Sequence, residues 1–114
     1  MDFQKQKPIY LQIADRLMEQ ILAGVADDRM PSVREVASAM GVNPNTVVRS
    51  FDHLQTAEII YQRRGVGYFV SADARQRILQ AQRREFFEAD LPAIRQRLKA
   101  LDISIDELVK HLQQ

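Results

Sequence analysis

SVREVASAMGVNPNTVVRSFDHL, Ser32 to Leu54, is the stretch whose reading decides the fold. Ser32 and Glu35 have the S-x-x-E spacing of a capping box, which starts a helix by pairing orphan N–H groups at its first turn. Val36, Ala37 and Met40 give that helix a small apolar face, and Gly41 can stop it. After only GVNP a second helix begins: Asn43 can cap it, Pro44 fits its first position, and Val47, Phe51 and Leu54 recur on one side. Two short helices joined by a tight Gly-containing turn form a helix-turn-helix.

Outward from that pair, the upstream segment PIYLQIADRLMEQILAG repeats apolar residues at Ile9, Ile13, Leu17 and Ile21, a helical stripe closed by Gly24. VADDR then makes a short polar turn, with Asp27 and Asp28 as turn residues rather than a metal or acid/base pair. Downstream, the second helix runs to about Ala57. There EIIYQRRGVGYFV changes period, and two β-branched and aromatic runs flank the glycines of a β-hairpin. Three helices and a hairpin wing predict an α+β, mostly helical winged helix-turn-helix over residues 1–70. Residues 71–114 keep helical spacing, with an interruption at Pro92 and a last capped helix from Ser104 that buries Ile105, Leu108, Val109 and Leu112.

The side of the second helix opposite its apolar stripe is where chemistry is expected. A helix of this size fits the major groove of DNA, and its early residues reach base edges. Asn pairs with adenine, Arg with guanine, and a Thr methyl packs on thymine. Asn43, Asn45, Thr46 and Arg49 form the expected reading set, with Ser50 and His53 meeting phosphate or bases further along. Arg34 adds a backbone contact from the first turn of the preceding helix. In the hairpin, Arg63 and Arg64 suit phosphate or the minor groove, and Gly65 and Gly67 allow a tight turn and close backbone approach.

Composition narrows the classes. The chain has 46% hydrophobic and 27% charged residues and no cysteine, which excludes a disulfide framework and a thiolate metal site and fits a reducing cytoplasm. No apolar run approaches the ~18 residues of a membrane span, and the polar N-terminus is unlike a secretory signal. Formal net charge is +1, so anion binding must come from placement of charge rather than from its total. That balance leaves open the alternative of a winged helix used only for protein–protein contact. An enzyme is not expected: His53 and His111 lie on different helices, and there is no nucleophile motif, phosphate loop, metal set or cofactor signature.

Residues 30–70, MPSVREVASAMGVNPNTVVRSFDHLQTAEIIYQRRGVGYFV, resemble the DNA-binding signature of the GntR family of bacterial transcription regulators. NPNTVVR, followed by a short all-helical tail, is similar to the YtrA-like subfamily in particular. The resemblance implies a sequence-specific regulator of double-stranded DNA, in the main a repressor, acting as a homodimer on a pseudo-palindromic operator. It implies that Arg34 contacts DNA near its helix start, that Asn43, Asn45, Thr46 and Arg49 lie on the reading helix, and that Arg64, Gly65 and Gly67 lie in the wing. Many members carry arginines at the positions of Pro44 and Val48; here the helix has Arg49 instead. Where the family often has an acidic residue and glycine, this chain has Ala57 and Glu58. The tail is too short to enclose a metabolite pocket of about 300 Å³ within one subunit. Phe86, Phe87, Leu91, Ile94 and Leu98 are the expected dimer stripe, and a small-molecule effector of unspecified identity would act where two tails meet.

Overall fold

Side-chain caps and glycine stops divide the chain into short helices, as a computed structural model describing residues 7–24 and 28–114 shows. The polar N-terminal stretch up to residue 6, and residues 25–27 of the expected turn with Asp27, lie outside the described residues. The elements run α1 (Ile9–Leu22), α2 (Val33–Met40), α3 (Pro44–Thr56), β1 (Ile60–Arg63), β2 (Gly67–Val70) and α4 (Ala74–Glu85). A π-helical turn (Phe86–Asp90), α5 (Leu91–Ala100) and α6 (Ile105–Leu112) follow. They fall into two compact units, one reaching Ala81 and one from Gln82 to Gln114.

In the first unit the local signals act as read. Ser32 Oγ accepts the Glu35 N–H at 3.0 Å, and the Glu35 carboxylate accepts the Ser32 N–H, so α2 starts with a complete capping box. Gly41, in the left-handed conformation, ends it. Asn43 Oδ1 accepts the Asn45 N–H at 2.8 Å, and Pro44 follows at the first turn of α3. Val47, Phe51 and Leu54 face inward and join Ile13, Leu17 and Met18 of α1 and Val36 and Ala37 of α2. Phe51 is fully buried and meets Tyr68 edge to face at 4.8 Å.

The exit from α3 has no glycine. Glu58 takes φ +61, while its N–H bonds Gln55 O and the Ile59 N–H bonds Leu54 O. That is a complete Schellman stop on a residue whose Cβ opposes it, at about 1 kcal/mol. Burial of Leu54 and Ile59, both almost without exposure, offsets the strain.

β1 and β2 pair antiparallel from Ile60–Val70 to Arg63–Gly67. Ile60, Tyr68 and Val70 turn toward the core, while Tyr61, Arg63 and Phe69 share the outer side. An isolated β-bridge against the hairpin was not apparent from sequence. Arg29 bridges Phe69, the Met30 N–H donates to Tyr68 O, and the Val70 N–H donates to Asp28 O. The start of α4 belongs to this unit as well. Ala74 and Ile78 are buried, Arg77 pairs with Glu58 and Asp73 at 3.0 Å, and Arg75 donates to the carbonyl of Leu22 at the end of α1.

In the second unit the interruption read at Pro92 is a π turn. The Leu91 N–H reaches Phe86 O, five residues back, and Pro92 then occupies the first turn of α5. The widened turn suits a proline, which has no N–H to give and whose ring crowds an ordinary helical carbonyl. Asp102, at φ +55, ends α5, and Ser104 Oγ caps α6 by accepting the Glu107 N–H. The buried stripe expected of α6 is corrected: the helix has no buried residue, with Ile105 73% and Leu112 74% exposed. Two helices and a turn supply too little surface to cover one another.

Candidate nucleic-acid interface

α3 presents Asn45, Arg49, Asp52, His53 and Thr56 within roughly one side of the helix, as spacings of three and four residues require. Asn45, Arg49 and His53 are exposed and Thr46 is half-buried. Asn43 is exposed too, but its side-chain oxygen already accepts the Asn45 N–H, so its first role is to start the helix. Asp52 is an acceptor on this face that the sequence reading passed over. Its carboxylate suits a cytosine amino group and repels phosphate.

Ser50 does not belong to this face. It is 0% exposed, and its hydroxyl donates to Tyr10 O at 2.7 Å, with Thr46 O at 3.2 Å. The helical wheel puts Ser50 beside Thr46, at the border of polar and apolar sides. The approach of α1 decides which side it joins, since the Tyr10 carbonyl, an intrahelical acceptor in the first turn of α1, keeps a second lone pair for the Ser50 hydroxyl.

Arg49 lies with its guanidinium carbon 4.2 Å from the centre of the Tyr10 ring, and His53 meets the same ring edge-on at 6.3 Å. Tyr10, Arg49, Asp52, His53 and Thr56 line a shallow, open surface hollow of about 290 Å³. Among the described residues no carboxylate pairs with Arg49.

The wing is organised by contacts on its outer side. Tyr61 and Phe69 stack at 5.8 Å, and Arg63 lies over Phe69 at 5.4 Å. Arg64 is exposed in the turn, which closes through the Val66 N–H on Arg63 O. Gly65, at φ +77, supplies the positive φ this turn needs at its third position. Arg29 Nη2 donates to Val66 O at 2.8 Å and passes along Gly67, whose φ of +140 excludes side chains in any case. Arg29 therefore tightens the wing from outside the hairpin; no periodicity in its neighbourhood points to this. Arg34 is exposed in the first turn of α2.

In the second unit Phe86 and Phe87 are 42% and 55% exposed and contact each other edge to face at 5.2 Å, while Leu91, Ile94 and Leu98 are half-buried. Among the described residues no cluster of His, Asp or Glu is placed to hold a metal ion, and no helix is long and apolar enough to cross a membrane.

Comparison with known proteins places this geometry. The family described as bacterial regulatory proteins, gntR family, matches residues 9–70. The chain is 42% identical over 74 residues to the uncharacterised HTH-type transcriptional regulator YhcF of Bacillus subtilis; the match covers 63% of this chain and 61%, under two thirds, of YhcF. It is 33% identical over 105 residues to the HTH-type transcriptional repressor YtrA of the same organism, covering 90% of this chain and 75% of YtrA. Among solved structures it resembles a GntR-family transcriptional regulator from Bacteroides thetaiotaomicron, with a TM-score of 0.74 and 41% identity over 93% of this chain and 94% of that one.

Proposed function

The chain belongs to the GntR family of bacterial regulatory proteins, and from that premise we propose that it is a cytoplasmic repressor that binds a pseudo-palindromic operator as a homodimer. One observation carries the reading: α3 starts from a capped, proline-set turn and leaves Asn45, Arg49 and His53 outward on one face. In a major groove, Arg49 suits the two acceptors of a guanine edge, and Asn45 suits adenine. Asn43 sets the helix start, and Thr46 adds its methyl to the same first turn. Arg34, Arg63 and Arg64 supply phosphate contacts, with Gly65 and Gly67 keeping the wing backbone thin enough to approach DNA.

Homodimerisation is read from the second unit. Phe86, Phe87, Leu91, Ile94 and Leu98, joined by Ile105 and Leu112 of α6, form apolar surface that a second copy would cover. A two-fold pair spaces its reading helices about one DNA turn apart, roughly 34 Å, and links two modest half-site affinities. A small-molecule effector would act where the tails meet and change that spacing.

The test is selection from a random duplex library with the purified protein, followed by titration of the recovered sequence at two salt concentrations. The expected product is an inverted repeat bound with a steep salt dependence, since each neutralised phosphate releases counterions. A protein used only for contacts with other proteins would enrich no sequence, even at low salt.

A further inference from the structure

Arg49 is a long, flexible side chain on the exposed face of α3, yet it is not left to solvent alone. Its guanidinium lies 4.2 Å from the centre of the Tyr10 ring. Tyr10 is itself held from two directions. Its backbone carbonyl accepts the buried Ser50 hydroxyl of α3 at 2.7 Å, and its half-buried ring meets His53 edge-on. The ring thus stands in a fixed relation to the helix that carries Arg49.

A guanidinium whose carbon sits over an aromatic ring can lie flat on it, which leaves its five in-plane N–H donors open at the edge. With no carboxylate pairing Arg49 among the described residues, those donors remain available to an acceptor pair. We infer that Tyr10 is a positioning residue for Arg49: its ring holds the guanidinium in one orientation before DNA arrives, so that less side-chain freedom is lost on contact with a base edge. The inference deepens the reading of Arg49 as a base reader and rests on it. Tyr10 lies outside the helix-turn-helix, so this role makes the first turn of α1 part of the reading surface.

The experiment uses the full chain, with Tyr10→Phe, Tyr10→Leu, Arg49→Ala and the Tyr10→Leu/Arg49→Ala double variant. Without DNA, the Arg49 side-chain protons are observed by NMR. Ring-current shifts are expected in the native chain and in Tyr10→Phe, and are lost in Tyr10→Leu. Unshifted protons in the native chain overturn the inference by themselves, even if Tyr10→Leu does not fold.

With DNA, the duplex recovered by random selection is compared with a scrambled duplex of equal composition. Tyr10→Leu is expected to lower the preference for the selected duplex by about three- to tenfold, the range of a cation–π contact. Tyr10→Phe should retain that preference, and Tyr10→Leu should remove nothing further once Arg49 is Ala. Equal losses on both duplexes, or additive losses in the double variant, would reduce Tyr10 to a packing residue and overturn the inference. If Arg49→Ala loses preference while Tyr10→Leu keeps it, Tyr10 alone is refuted. If Arg49→Ala keeps full preference, the reader assignment falls first and the role of Tyr10 falls with it.

Discussion

α3 and α6 start in the same way and end in opposite circumstances. Each has a side-chain cap, Asn43 on the Asn45 N–H and Ser104 on the Glu107 N–H, and each carries an apolar stripe at helical spacing. α3 buries Val47, Phe51 and Leu54 beneath α1 and α2 and leaves a polar face outward. α6 buries no residue, and its apolar side, with Ile105 and Leu112, is left exposed. Capping and periodicity specify where a helix begins and which residues share a side. They do not specify what covers that side, because covering is supplied by other parts of the chain or by another chain. The leftover surface follows from this: a polar face outward on α3 in one unit, an uncovered apolar face in the other.

The contrast is broken most severely at Phe51. Phe51→Ala empties the centre of the covered side and should destabilise the first unit by about 3–5 kcal/mol, read as a large fall in the thermal or urea midpoint. Next comes the uncovered side. Phe86→Asp should convert the proposed dimer to monomers in light scattering, and a mass still at two chains would move the interface away from the π turn. On the polar face of α3, Arg49→Ala should weaken binding to the selected duplex by about 1–3 kcal/mol and relax choice at one base position per half-site. Arg64→Ala should instead weaken all duplexes evenly and lower the salt slope by about one. Identical behaviour of the two variants would show that Arg49 grips phosphate and reads nothing.

The smallest effect sharpens the comparison at the end of α3. Glu58→Gly relieves a left-handed Cβ worth about 1 kcal/mol but removes the partly exposed pair with Arg77 and loosens the unfolded chain. A net gain of about 0.5 kcal/mol is expected in chemical denaturation; a clear loss would mean that the Arg77 pair outweighs the strain.

Much of this was legible at the level of neighbouring residues. Ser32 with Glu35, Asn43 with Pro44, and the Val47–Phe51–Leu54 spacing each state a local physical preference, and the helices begin and face as those preferences require. The wing was legible from two β-branched and aromatic runs around glycines. Arg29 was not, because a single bridging residue has no period to read and its bridge partner, Phe69, lies far along the chain. The π turn was half legible: Pro92 announces that regular helix cannot continue unaltered, but not which turn absorbs it.

The sequence by itself determined the order of the elements, their caps, the apolar inward residues of α3 and the identity of the family, since all of these depend on contacts within a few residues or on a long run of matched positions. Tertiary structure alone decided that Ser50 turns inward to the Tyr10 carbonyl, that the Tyr10 ring lies under Arg49, and that α6 leaves Ile105 and Leu112 uncovered. The physical reason is the same in each case. A side chain near the border of a helix face takes its role from what approaches it, and what approaches is brought by segments distant in the chain.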